Sequence, residues 1–305
     1  MAKKMSSLGN HPCFKGLLDA VPLSGFSGAL VALLDADNAN IRVRKAALDM
    51  GSSERLRDQA ERQLRLANAF TGVTKVPQIL SDGEEEGCYW YDMEYVAGLD
   101  AIAYLAVGTR TKIDKLLHQI GAMLETQAKF VDDNACDINL HQQIKHKVFE
   151  IDTSTRGKYQ SLLAEIITAI PDQPIFLRPT IVHGDLTLEN VLIDQKEQIW
   201  IIDTIPSPFD HYWIDISKLF QDLVGRWFLH RGRSLSIGLV KTMADEVFQR
   251  ACALDPRYSG YHAILLALSF ARILPYCTSE EDSNFVSDRI AMSLNNRPDL
   301  QRTRQ

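Results

Sequence analysis

Cysteine is scarce in this chain: the 305 residues include five, widely scattered, and no two of them form a C-x-x-C pair. This argues against a zinc site, thioredoxin-like chemistry and a disulfide framework. Long apolar runs are also missing, since Ala29–Leu34 is far shorter than the roughly 20 residues of a membrane-spanning helix. No apolar segment follows Lys3 and Lys4, so no secretory signal is evident. We therefore expect a cytoplasmic protein with no membrane partner.

An excess of positive charge is absent as well. The formal net charge is −6, so no global basic field is available to hold a nucleic-acid backbone, and we expect no nucleic-acid partner. The remaining composition, 46% hydrophobic and 24% charged, is that of a globular protein and excludes disorder over most of the chain. A length of 305 residues suits two domains.

Two regions with different periodicities follow one another along the chain. Residues 21–96 are mostly strand-like, with one helix that begins at Ser52 or Ser53 and extends towards Gly72. Val96-Ala-Gly-Leu is typical of a hinge, and amphipathic helical segments dominate afterwards. The pattern predicts an α+β protein with a small β-rich domain, residues 1–97, and a larger, mainly helical domain, residues 98–305.

One stretch of the helical region has a different pattern. Two short β-rich runs, residues 191–193 and 199–202, flank a hairpin loop, so Asn190 and Asp203 are predicted to be neighbours in space. An amide oxygen and a carboxylate are hard ligands suited to Mg²⁺ held jointly with nucleotide phosphates. Asp185 precedes Asn190 by five residues and can accept a proton from an attacking hydroxyl. A base and two metal ligands are the minimum for phosphoryl transfer.

The segment His183-Gly-Asp-Leu-Thr-Leu-Glu-Asn190 with Asp203 resembles the H-x-D-x-x-x-x-N…D signature of protein-kinase-like enzymes. With Gly184 after the histidine and Ile-Asp-Thr in place of D-F-G, the chain is similar to the aminoglycoside phosphotransferase and choline kinase branch, which phosphorylates small molecules. The resemblance implies a two-lobed protein-kinase-like fold. It also implies that Asp185 is the catalytic base and that Asn190 and Asp203 are magnesium ligands.

The same resemblance implies supporting roles for two further residues. His183 would orient the catalytic loop. Asp215, in Tyr-Trp-Ile-Asp-Ile-Ser-Lys, matches the family's second aspartate, which braces that loop through hydrogen bonds to backbone amides. The alternative for Asp215 is a plain helix N-cap.

The β-rich domain is then expected to bind ATP. Gly25, Ser27 and Gly28 lie in a short loop before Ala29–Leu34, where backbone N–H groups could approach phosphates. The loop departs from G-x-G-x-x-G, and by itself such a loop is more often a hairpin turn.

Lys45 shares the apolar side of its predicted strand with Val43 and resembles the lysine that contacts the α- and β-phosphates in kinases. A lysine on an apolar side needs a partner. Glu61 on the following helix is the favoured candidate, with Asp58 and Glu54 as alternatives.

The segment Tyr91-Asp-Met-Glu-Tyr-Val-Ala-Gly98 matches the last strand and hinge of such kinases. Backbone groups of Glu94, Tyr95 and Val96 would bind adenine. Met93 would border the pocket, although plain core packing is an equal alternative for it.

The acceptor is expected to be a small molecule with a hydroxyl group. The basic and aromatic segment 226–233 favours a neutral or anionic acceptor such as a sugar or sugar phosphate. Its alternative is a helix end whose cations complement the dipole. Asp210 and His211 either line the acceptor pocket or cap the next helix. Two other functions are compatible with the sequence, namely a protein kinase and a kinase-like nucleotide-binding scaffold without catalysis.

Overall fold

Two predicted strands, Ala29–Leu34 and residues 41–48, pair as an antiparallel ladder in the computed structural model of the chain, which describes residues 8, 10–17, 19–23, 28–35, 41–132 and 134–295. The ladder sets Lys45 opposite Val31 on one side and opposite Tyr91 of a third strand on the other. Lys45 therefore occupies a central strand of its sheet.

The chain divides into two units. The first contains Met1–Asp100 and Asn190–Pro206, and the second contains Ala101–Glu189 and Ser207–Gln305. The sequence predicts a domain boundary between residues 97 and 98, which puts the hairpin near residues 191–202 in the second domain. In the structure this hairpin belongs to the first unit, because it pairs with the strand Gly98–Asp100.

The first unit is built on two sheets. The strands are β1 Val21–Pro22, β2 Ala29–Leu34, β3 Arg42–Ala47, β4 Ile79–Glu85, β5 Cys88–Glu94, β6 Gly98–Asp100, β9 Val191–Asp194 and β10 Ile199–Ile201. The five-stranded antiparallel sheet has the order β1-β2-β3-β5-β4, and the three-stranded sheet has the order β10-β9-β6.

Helix α1, Ser53–Ala69, packs on the five-stranded sheet, and apolar clusters cover both faces of that sheet. One cluster joins Val43, Tyr91 and Met93 to Leu56 of α1. The other joins Ala46 to residues from the amino-terminal segment. Because both faces of the sheet are covered, the side chains of β3 are shielded from water whichever face they point to.

The second unit is mainly helical. Its helices are α2 Ala101–Ala106, α3 Arg110–Lys129, α4 Leu140–Ser154, α5 Gln160–Thr168, α6 Trp213–Leu223, α7 Trp227–His230, α8 Ile237–Leu254, α9 Tyr258–Ala271 and α10 Glu280–Asn295, with a small sheet of β7 Ile138–Asn139 and β8 Phe176–Leu177. Every residue of α6 is buried, and α9 is buried along most of its length. These two helices form the centre of the core.

The predicted α+β class is confirmed. The segment Ser81-Asp-Gly-Glu has a composition typical of a turn, but it lies inside β4. This edge strand is polar because most of its side chains are exposed, and the turn follows at Glu86 and Gly87, both with positive φ. Among the described residues, none of the helices combines the length and apolar character needed to cross a membrane.

Candidate active site

Among the described cations of the first unit, Lys45 is the most buried, with 1% of its surface exposed. Its ammonium group forms an ion pair with the carboxylate of Asp203. Burial by itself would lower the pKa of Lys45, but the Asp203 carboxylate outweighs it and raises that pKa above its ordinary value. Lys45 is therefore a fixed positive charge.

Asp203 lies directly beyond the hairpin of β9 and β10. Its φ of 64° is in the left-handed region, which is uncommon for a residue other than glycine. Such backbone strain persists where the surrounding structure holds it and is frequent at functional sites. The conformation turns the chain immediately after Ile202, whose N–H donates to the Asn190 carbonyl at 3.0 Å.

The hairpin brings Asn190 and Asp203 together as the sequence predicts, because the Ile201 and Val191 positions are paired. Within the described part of the chain, no group of three or more His, Cys, Asp or Glu side chains could hold a metal. One amide and one carboxylate leave most positions of an octahedral ion to other oxygens. This donor set suits Mg²⁺ that arrives with nucleotide phosphates.

The prediction that Glu61 is the partner of Lys45 is wrong. Glu61 is exposed, whereas the buried side of α1 carries Leu56, Gln59, Ala60 and Gln63. Helical periodicity puts positions 56, 59, 60 and 63 on one side and turns position 61 away from it. The partner of Lys45 is Asp203 instead.

The predicted phosphate loop is only partly described. Gly25 and Ser27 lie outside the described residues. Gly28 has φ +73°, and a Cβ built on it would have no atom nearer than 4.0 Å. Glycine is therefore favoured there by backbone conformation rather than by crowding.

The predicted adenine segment follows β5. Met93 is buried in the apolar core, and its sulfur accepts a hydrogen bond from Gln63, so core packing accounts for it. The Glu94 N–H already donates to the Gln78 carbonyl. Tyr95 is exposed and Val96 half-buried, and among the described residues the Val96 N–H donates no hydrogen bond.

In the second unit, Asp215 holds the backbone of the loop that contains Asp185. Its Oδ2 accepts from the His183 N–H at 2.6 Å and its Oδ1 accepts from the Gly184 N–H at 2.8 Å. The Gln127 side chain donates to Oδ2 as well, at 2.6 Å. Asp215 is the third residue of α6 and not its N-cap, which is Tyr212. The bracing contacts implied by the family resemblance are therefore present.

Asp185 forms an ion pair with Lys218, one turn beyond Asp215 on α6, at 2.8 Å between Oδ1 and Nζ. Burial alone would raise the pKa of Asp185, but Lys218, with smaller contributions from Arg272 and His183, holds that pKa below its ordinary value. The His183 Nδ1 accepts from the Asp185 N–H at 3.3 Å. Asp185 is thus ionised at neutral pH and able to accept a proton.

A third residue of α6 contacts the same loop. The Asp222 carboxylate accepts from the Leu188 N–H at 2.8 Å. Burial raises the pKa of Asp222 to about 7, and the Leu188 hydrogen bond opposes that rise. The loop from His183 to Leu188 is therefore held at both ends by carboxylates from one helix.

A comparison with protein-family models matches residues 20–235 to the phosphotransferase enzyme family. The chain belongs to this family. A comparison with curated protein sequences gives no significant match.

Solved structures share the fold of this phosphotransferase. The GDP and kanamycin complex of APH(2″)-IIIa gives a TM-score of 0.62 at 15% identity, over 96% of this chain and 97% of that one. A macrolide 2′-phosphotransferase of type I gives 0.59 at 14% identity, over 95% and 96%. The streptomycin–ATP complex of APH(2″)-IIa gives 0.57 at 11% identity, over 96% and 97%.

Sequence reasoning missed two of the phosphotransferase's loop contacts, those of Lys218 and Asp222. Both follow Asp215 at helical spacing, so a polar side of α6 was the available signal. A buried helix with three charged residues on one side indicates a polar partner. Arg272, which contacts Gly184, carried no comparable signal.

The basic segment of the phosphotransferase that was linked to its acceptor has local partners. Arg231 caps the short helix α7, and Gly232 has a positive φ, as expected for a helix end. Arg231 and Arg233 lie 3.8 Å and 3.5 Å from carboxylate oxygens of Glu189. His211 is buried, which lowers its pKa to about 3, and its Nδ1 accepts from the Trp213 N–H in the first turn of α6. These contacts favour the helix-end and capping alternatives.

Proposed function

We propose that this phosphotransferase transfers the γ-phosphate of Mg·ATP to a hydroxyl group of a small molecule. The observation that carries the proposal is the ionised Asp185 carboxylate, held by Lys218 on a loop that Asp215 and Asp222 fix from one helix. A base that must accept a proton at neutral pH needs this ionised and oriented state.

In the proposed step, the acceptor oxygen forms a bond to the γ-phosphorus while the bond from that phosphorus to the β–γ bridging oxygen breaks, and ADP leaves. Asp185 accepts the hydroxyl proton. Lys45 binds the nucleotide phosphates, and Val96 donates to the base. Asn190 and Asp203 would hold Mg²⁺, which supplies positive charge against the phosphate oxygens when it is bound.

Three observations support a small-molecule kinase over the alternatives. Solved relatives with the same fold contain kanamycin or streptomycin together with a nucleotide. Only residues 204–212 separate Asp203 from α6, too few for the activation segment of a protein kinase. The retention of Lys45, Asp185, Asn190 and Asp203 argues against a scaffold without catalysis.

Substitutions can separate the proposed role of Asp203 in Mg·ATP binding from the proposed role of Asp185 in catalysis. Asp203→Ala should abolish Mg-dependent stabilisation by ATP in a thermal-shift assay, because it removes a proposed metal ligand. Asp185→Asn should keep that stabilisation and lose turnover at least 100-fold. Asp58→Ala, at an exposed position of α1, is the matched control. Equal loss of nucleotide binding in the Asp185 and Asp203 variants would contradict the assigned roles.

A further inference from the structure

The carboxylates on or beside the catalytic loop, residues 183–190, are engaged by cations or N–H donors. Asp185 pairs with Lys218 at 2.8 Å, and Asp215 accepts from three N–H donors. Glu189 lies within 4 Å of two arginine side chains, Arg231 and Arg233. A polycationic acceptor therefore finds no unengaged carboxylate among these residues.

Arg272 is a cation of the same loop region with a spare donor. It follows α9 directly, and its Nη2 donates to the Gly184 carbonyl at 3.5 Å. Its Nη1 is buried and, among the described residues, has no hydrogen-bond partner. No carboxylate of the described residues forms an ion pair with its guanidinium group.

A buried guanidinium group with an unused N–H donor is unfavourable unless a ligand accepts a hydrogen bond from that donor. The planar group matches a carboxylate or a phosphate better than any neutral partner. Burial lowers the pKa of Arg272, and the nearby charges of Asp185 and Asp215 oppose this, so the side chain stays positively charged.

We propose that Arg272 binds a carboxylate or phosphate group of the acceptor, which makes the acceptor an anionic hydroxyl compound such as a sugar phosphate or a sugar acid. This inference rests on the proposed phosphotransferase function. It assigns to Arg272 the selection of the acceptor and leaves the chemical step to Asp185.

The position of Arg272 favours the acceptor over the transferred phosphoryl group as the source of the anion. Arg272 contacts Gly184, which precedes Asp185, whereas the proposed metal ligand Asn190 lies on the other side of Asp185 along the chain.

The first test uses inorganic phosphate as the probe. The protein is saturated with Mg·ADP, so that the nucleotide site is filled, and phosphate is titrated by calorimetry. Arg272→Met should weaken phosphate binding at least tenfold. Arg257→Met is the matched control: Arg257 precedes the same helix, is exposed and pairs with Asp255. Absence of phosphate binding to the unsubstituted protein, or equal binding to the Arg272→Met variant, would overturn the proposal.

The second test compares glucose 6-phosphate, gluconate, glucose and kanamycin as acceptors with Mg·ATP. An anionic compound should be preferred, and Arg272→Met should raise its KM at least tenfold while the affinity for Mg·ATP stays within twofold. Preference for glucose or kanamycin, or no turnover of either anion, would overturn the acceptor assignment. A loss of Mg·ATP affinity in Arg272→Met would identify the transferred phosphoryl group as the anion instead.

A third variant separates a folding defect from a binding defect. Arg272→Lys keeps the charge and should bind phosphate more tightly than Arg272→Met, and equal weakening would contradict a charge-based site. Failure of the proposed function itself has a different signature, since the unsubstituted protein would then phosphorylate none of the four compounds, whether or not it binds ATP in a Mg-dependent manner.

Discussion

Replacing Lys218 by methionine removes the charge that faces Asp185 and keeps most of the side-chain volume. The pair is short, with 2.8 Å between Nζ and Oδ1, and only 7% of the Lys218 side chain is exposed. Breaking a buried pair by removing one partner costs about 3–5 kcal/mol. Because 29% of the Asp185 side chain remains exposed, water can compensate in part, and we expect a loss of about 2–3 kcal/mol.

A double-mutant cycle of Lys218→Met and Asp185→Asn measures this interaction directly. The free energies of unfolding in urea at pH 7 should give a coupling of about 2 kcal/mol between the two positions. Lys218→Met alone should also lower kcat about 100-fold, since the base loses its orientation. Affinity for Mg·ATP should be unchanged.

The coupling between Lys218 and Asp185 should decrease as the pH falls. The pKa of Asp185 lies below its ordinary value in the folded protein, so the stabilisation is complete above the unfolded pKa of about 4 and is lost as the pH falls through the folded pKa. Effects that add within 0.5 kcal/mol at pH 7, on the order of the usual error, would show that Lys218 does not hold the base.

Two further predictions concern buried charges elsewhere. The pKa of Asp222 is raised to about 7 by burial, so stability should fall by about 4 kcal/mol as the pH rises from 4 to above 7, and Asp222→Asn should remove most of this dependence in urea unfolding. Buried Arg44 pairs with Asp92 at 2.6 Å between Nε and Oδ1, so Arg44→Met should lower the free energy of unfolding by about 3 kcal/mol. The side chain of Arg42 is more exposed, so Arg42→Met should lower the free energy of unfolding by less than about 1 kcal/mol. Equal losses for the two arginine variants would contradict the burial argument.

Local signals predicted the parts of the site that lie close together in sequence. The catalytic loop and the hairpin span residues 183–203, and a tight hairpin necessarily brings Asn190 near Asp203. The alternation of polar and apolar side chains predicts the strand that carries Lys45. The prediction that this lysine needs a carboxylate partner agrees with its ion pair to Asp203.

Contacts between distant segments were not predictable from these patterns. In the sequence, Glu61 borders an apolar stripe of Leu56, Ala60 and Leu64, but Leu64 is 49% exposed and two glutamines occupy the buried side of α1. Polar residues on the buried side of a helix mislead a pattern based on hydrophobicity. Lys218 and Arg272 reach the loop only through the packing of α6 and α9.

The most direct test of phosphoryl transfer is a mass measurement of the acceptor. The protein is incubated with Mg·ATP and a pool of sugars, sugar phosphates, sugar acids, amino alcohols, aminoglycosides and nucleosides, and Asp185→Asn serves as the control. We expect one pool member to gain the mass of a phosphate group with the unsubstituted protein and not with the control. An equal gain with both proteins, or Mg-dependent ATP binding without any phosphorylated product, would contradict Asp185-dependent transfer to a small molecule.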